Sequence, residues 1–188
     1  MKIEPPYGLI LTGGQSSRMG SDKSLLDIKG KPHREYLFSI LSAICPKVYT
    51  SCRSDQDVPA SLNPLVDQYA FAGPINGILS AFHTKPQVPW LIIAVDMPFI
   101  DESSLRFLID HRDPDMMATC FIHQPQQFPE PLLTIWEPKA GPALLAFAKA
   151  GNRSPRVFLE RERVRMLRPP NDQLLRNVNY PRDLDTLK

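Results

Sequence analysis

YGLILTGGQSSRMGSDKSLL, residues 7–26, passes from an apolar stretch straight into glycines, hydroxyls and cations. Residues 7–12 form a short apolar run stopped by Gly13 and Gly14, the pattern of a strand buried on both faces. The paired glycines let backbone N–H groups approach a ligand with no Cβ in the way. Ser16 and Ser17 add hydroxyls, and Arg18 and Lys23 add cationic donors suited to phosphate oxygens. The loop is not GxxxxGK[ST], because Gly20 is followed by Ser-Asp-Lys, and it is not GxGxxG, because its glycines are adjacent. For the glycine pair alone, a plain turn with solvated charges is the competing reading.

Outward from this loop, strand and helix patterns alternate. Lys29-Gly30-Lys31 turns a short extended piece at 24–27, and Pro32 suits the first turn of a helix. That helix carries Tyr36, Leu37, Ile40, Leu41 and Ile44 at helical spacing up to Pro46. Strands are expected over 48–51 and 65–66, and a helix from Gly73-Pro74 with Ile75, Ile78, Leu79 and Phe82 on one face. WLIIAV at 90–95 is the most strand-like segment and runs into Asp96-Met97-Pro98. A helix over 102–110, strands over 116–121 and 131–136, a helix over 138–150, a shorter one from Ser154-Pro155, a strand over 164–167 and a closing helix over 181–187 complete the order. The proline-rich stretch 124–131 reads as a connector. Without an internal repeat or a break in composition, residues 1–188 read as one domain. The alternation implies an α/β fold with a mostly parallel sheet, whose ligands sit beyond the carboxyl ends of the strands.

Bulk properties narrow the function. A chain of 188 residues with 43% hydrophobic and 22% charged residues has the composition of a globular protein, and a net charge of +2 provides no broad basic field for nucleic acid. Any anion site must therefore be local. Cys45, Cys52 and Cys120 are odd in number and scattered, which suggests neither a disulfide framework nor a zinc site. With no charged-then-apolar leader and no apolar run near the ~18 residues of a membrane span, a cytoplasmic protein is expected. The 20 prolines, about twice the usual ~5% share, are spread as punctuation rather than gathered in a disordered tract.

The strand-end rule then sorts the polar residues. Gly13, Gly14, Asp67 and Asp96 all follow expected strands, so a parallel sheet gathers them at one edge. Asp96 is placed either to hold Mg²⁺, a hard ion that takes one or two carboxylates alongside phosphates, or to cap the following turn. Asp67 is supported by position alone. Asn177 and Asn179, two residues apart, would present paired amides if extended, but Asn179 equally reads as a cap for a helix begun by Pro181. His33, His83, His111 and His123 show no metal-ligand spacing and adjoin no nucleophile motif, and read as surface or helix residues. RERVRMLR at 161–168 reads as an exposed strand with alternating faces rather than a nucleic-acid patch.

LTGGQSSRMGSDK at 11–23 resembles the signature loop of the nucleotidyltransferases that make molybdenum cofactor dinucleotides, and among them most resembles the guanylyltransferases. Gly73-Pro74-Ile75-Asn76-Gly77 is similar to that family's GPLAG segment, residues 96–100 (DMPFI) to its DTPYI segment, and 177–183 to its NVNTPED segment, in the same order. The resemblance implies a single three-layer α/β/α, Rossmann-like nucleotidyltransferase domain with a mostly parallel mixed sheet. It implies nucleotide contacts at Leu11, Thr12, Gly13, Gly14, Lys23, Asp67 and Asp96, with Lys23 the phosphate-binding lysine and Arg18 a further catalytic residue of the loop. Asp96 is implied as the Mg²⁺ ligand, and Asn177 and Asn179 as residues of the molybdopterin side. The implied reaction is attack of the terminal phosphate of molybdopterin on the α-phosphorus of GTP, with pyrophosphate leaving. Its partners would be GTP, molybdopterin and molybdoenzymes or cofactor-delivery proteins, with neither nucleic acid nor membrane involved. The chain departs from the pattern at Thr12 (usually alanine), Asn76 (alanine), Met97 (threonine) and Arg182 (acidic), and Cys52 stands where the family often has asparagine.

Two other readings compete. One is a cytidylyltransferase on molybdopterin or another phosphate; such enzymes tend to carry alanine where Gly13 stands. The other is a non-catalytic nucleotide-binding chaperone of cofactor insertion, against which Lys23 and Asp96 speak.

Overall fold

The computed structural model describes residues 4–12, 27–28 and 30–177. β1 (Tyr7–Leu11), β4 (Val48–Cys52), β5 (Pro64–Val66), β6 (Trp90–Ala94), β7 (Ala118–Ile122), β8 (Pro129–Trp136) and β9 (Val164–Leu167) form one sheet. Its order is β5-β4-β1-β6-β8-β7-β9. β1 pairs in parallel with β4 and β6, β4 with β5, and β7 with β9, while β8 is antiparallel to both neighbours. The sheet is thus mixed but mostly parallel. A separate hairpin, β2 (Asp27–Ile28) and β3 (Lys31–Pro32), turns through Gly30, whose φ of +80° suits glycine.

The helices cover both faces because the strands alternate their side chains. Leu9, Leu11, Ile92 and Cys120 point into one core with α2 (Ile75–Thr84), α4 (Ala140–Lys149) and α5 (Pro155–Arg161). Ile10, Leu91, Ile93 and Phe121 point into the other, with α1 (His33–Ser42) and α3 (Glu102–Asp110). This is the three-layer α/β/α arrangement expected from the sequence. Helix starts follow local chemistry: Asp101 and Ser104 form a reciprocal capping box on α3, and Ser154 Oγ accepts from Val157 N at α5, where Pro155 takes the first turn.

From β1 the chain crosses through α1 to β4 on one side. From β5 it returns through α2, on the opposite face, to β6 on the other side of β1. The two crossovers depart in opposite directions, so the carboxyl ends of β1 and β6 flank a topological switch point where α/β sheets bind ligands.

Candidate functional site

Four strand ends define the edge beside that switch point. Leu11 ends β1 and Thr12 follows it; Ser51 and Cys52 end β4; Asp67 follows β5; Asp96 follows β6 by one residue. The parallel register ties them together: Val95 N donates to Leu11 O (3.3 Å), Thr12 Oγ1 to Ser51 O (2.6 Å), and Asp67 N to Cys52 O (2.9 Å). Thr12, the departure from alanine, thereby bolts the start of the glycine loop onto β4. Asp67 and Asp96 are three strand steps apart, about 14 Å at ~4.8 Å per step. One small cation does not touch both, so the carboxylates serve different parts of a ligand.

The Asp67 end is held from below by α2. Gly77 lies against the strand ends so closely that a Cβ there would sit 2.6 Å from Leu11 Cδ2 and 2.6 Å from Ser51 Oγ. Its neighbour Asn76 accepts from Tyr69 N (3.2 Å) and donates through Nδ2 to Tyr69 O (2.6 Å), while Ser80 Oγ, one turn on, accepts from Gln68 N (2.8 Å). Asn76, another departure, clamps the loop after Asp67. Ser51 Oγ donates to Asp67 Oδ1 at 3.1 Å. Burial pushes the Asp67 carboxyl above its ordinary range, opposed by the Ser51 hydrogen bond and by nearby Arg53. Cys52 is buried, and its thiol is raised by that burial and by the Asp67 charge.

The Asp96 end is braced by α1. His33, fully buried, donates from Nε2 to Met97 O at 3.3 Å, and Tyr36 Oη reaches Ile100 O at 3.5 Å. Met97 and Ile100 are themselves fully buried, which anchors the turn that carries the half-buried Asp96. The sequence read His33 as a surface or helix residue; it is a helix residue, but one packed beneath the site turn. No residue in its own segment announces that contact, because its partner lies 64 positions away.

The structure therefore brings Leu11, Thr12, Asp67 and Asp96 to one edge. Asn177 is exposed just past the turn containing the buried Leu174 and Leu175, which pack in the same core as Met97 and Ile100. Gly13, Gly14, Arg18, Lys23 and Asn179, and the closing helix at 181–187, lie outside the described residues. Among the described residues, no group of three or more His, Cys, Asp or Glu side chains could cage a metal, and no helix is long and apolar enough to cross a membrane.

Comparison with known proteins adds independent findings. The family model described as MobA-like NTP transferase domain matches residues 8–166. A molybdenum cofactor biosynthesis bifunctional protein of Synechocystis sp. is 38% identical over 185 residues; the match covers 95% of this chain, which spans about half (52%) of that relative's length. A molybdenum cofactor guanylyltransferase of Pseudomonas fluorescens is 31% identical, with 95% of this chain and 91% of the relative covered. In fold, the chain resembles molybdopterin-guanine dinucleotide biosynthesis protein A from Archaeoglobus fulgidus, with a TM-score of 0.80, 24% identity and 96% of each chain covered.

Proposed function

The chain belongs to the MobA-like NTP transferase family and is a nucleotidyltransferase; from that premise we propose that it transfers GMP from GTP to the terminal phosphate of molybdopterin, with Mg²⁺, in the cytoplasm. An acceptor phosphate oxygen forms a bond to the α-phosphorus of GTP as the bond to the β-phosphate oxygen breaks, and pyrophosphate leaves. The observation that carries this reading is the spacing of two unlike sites along one edge. The Ser51–Asp67 pair lies at one end and Asp96 about 14 Å away, a span that suits a nucleoside triphosphate laid across the end of β1.

The attacking oxygen is already anionic, so no general base is required. The work left to the protein is to hold two anions in line. Backbone at Leu11, Thr12, Gly13 and Gly14 receives the nucleoside, with Asp67 accepting from its donors; Lys23 and Arg18 take phosphate oxygens. Asn177 and Asn179 serve the acceptor. Mg²⁺ fits the donor set, because it demands only one or two carboxylates and completes its shell with water and phosphate oxygens, and Asp96 is such a carboxylate. When bound it supplies charge neutralisation on the phosphates. The single seven-stranded sheet, which draws its strands from β1 near one end of the described residues and β9 near the other, supports reading residues 1–188 as one such domain.

Asp96→Asn tests the division of labour. Turnover should fall by about 10²-fold or more while GTP affinity changes little, because the carboxylate matters most where charge develops. Full activity in the variant would remove Asp96 from the mechanism.

A further inference from the structure

The second half of the same edge carries a pair of residues that the proposed reaction has not yet used. β7 and β8 are joined by a tight turn in which His123 N donates to Phe128 O (2.9 Å) and Gln127 N to His123 O (2.8 Å). Across its base, His123 Nε2 meets Glu130 Oε2 at 2.7 Å. Glu130 is fixed in turn: Oε1 accepts from Leu132 N (2.8 Å), its backbone carbonyl accepts from Thr134 Oγ1, and its side chain is only 8% exposed. The imidazole is also stacked on Phe128, with ring centroids 4.4 Å apart. A surface histidine needs none of these restraints. With Nε2–H committed to the carboxylate, Nδ1 makes no hydrogen bond among the described residues and is the ring's remaining polar atom.

His123 lines a cavity of about 480 Å³, together with Gln124, Pro125, Asp172, Leu175 and Arg176. That volume is within the ordinary range for small-molecule sites, ~300–1,000 Å³. Two observations join it to the reaction edge. The Arg176 guanidinium lies 5.7 Å from the ring centroid of Phe99, three residues after Asp96, so one side chain touches both the cavity and the Asp96 turn. β7 is also two strand steps from β6, about 10 Å at ~4.8 Å per step, which places the cavity on the side of Asp96 away from Asp67. A nucleotide lying between Asp67 and Asp96 leaves this side to the acceptor, and Asn177 directly follows Arg176.

We propose that His123, held by Glu130, is a specificity-determining residue for the acceptor, and that the cavity it shares with Arg176 receives the heterocyclic end of that molecule while its phosphate reaches Asp96. The cavity is lined by the His123 imidazole, the Arg176 guanidinium and the Asp172 carboxylate. That set matches a flat heterocycle with ring N–H groups and a carbonyl better than it matches a phosphate, which would meet Asp172 unfavourably. This inference rests on the proposed transferase reading.

The test measures initial rates of pyrophosphate release by the full chain, varying molybdopterin at saturating GTP and GTP at saturating molybdopterin. His123→Ala should raise the KM for molybdopterin about tenfold or more and leave the KM for GTP within about twofold. Arg176→Ala, on an exposed side chain, should give the same split and keeps the test valid if the first variant is unstable. Wild-type turnover with an unchanged molybdopterin KM in both variants overturns the inference and leaves the transferase reading standing. A parallel rise in both KM values overturns it too, since that is general damage. No turnover by the wild type removes both.

Discussion

Gly77→Ala is the perturbation whose consequences the structure fixes most tightly. The added methyl would lie 2.6 Å from Leu11 Cδ2 and 2.6 Å from Ser51 Oγ, a distance at which something must move. Overpacking of this kind costs about 1–3 kcal/mol, and the better helix propensity of alanine returns about 1 kcal/mol, so the net loss is about 0–2 kcal/mol. At about 2–4 °C per kcal/mol for a chain of this size, the melting temperature falls by at most about 8 °C. The local damage is larger than that figure suggests, because the displaced atoms carry the Asp67 hydrogen bond and end β1. GTP affinity should fall by about tenfold, which corresponds to about 1.4 kcal/mol. Calorimetric titration with GTP and thermal unfolding monitored by circular dichroism read the two effects separately. Ser51→Ala removes one of the two clashing atoms, so Gly77→Ala should cost less stability in that background than in the wild type. A Gly77→Ala protein with raised melting temperature and unchanged GTP affinity would refute the close-packing argument.

Other outcomes follow from the same geometry. Asp67 has a raised pKa in the folded chain, so the folded state holds its proton to higher pH than the unfolded state and loses stability as pH rises from 3.8 through the raised value. Asp67→Asn should therefore melt higher than wild type at pH 7, with the difference vanishing below about pH 3.8, and should bind GTP more weakly; an equal melting temperature across that range would contradict the assigned cause. Arg112 and Glu137 form a buried bidentate pair, Nε to Oε1 at 2.7 Å and Nη2 to Oε2 at 2.8 Å, with side chains 7% and 2% exposed. Arg112→Ala strands a buried carboxylate and should cost about 3–5 kcal/mol in urea unfolding, without a selective effect on GTP affinity at permissive temperature.

Where the signal was local, the sequence read the elements closely. The 102–110 helix and the 164–167 strand fall on α3 and β9, and the Ser154-Pro155 start and Gly30 turn are where expected. The proline-rich stretch 124–131 misled the reading, because β8 already begins at Pro129 and includes Pro131. Prolines usually mark a sequence as non-strand, but here the β7 pairing is irregular between Cys120 and Ile122, which accommodates Pro129. Long-range partners were beyond local patterns: Ser51 for Asp67, Met97 for His33, and Glu137 for Arg112 are 16, 64 and 25 residues away. His123 and Glu130 are only seven apart, but a turn, not a helix or strand period, brings them together. Asp67 and Asp96 were legible as residues of one edge because a topological rule brings the ends of parallel strands together, whereas Leu11 and Thr12 entered only through the resemblance of the loop that begins there.

The central claim, a guanylyl transfer built on this edge, is tested most directly by mixing the purified full chain with molybdopterin, Mg²⁺ and each of the four common NTPs in turn and measuring pyrophosphate release. Release chiefly with GTP, together with formation of the guanine dinucleotide, is the predicted result. Preferential turnover of CTP, or no turnover with any NTP, would contradict it.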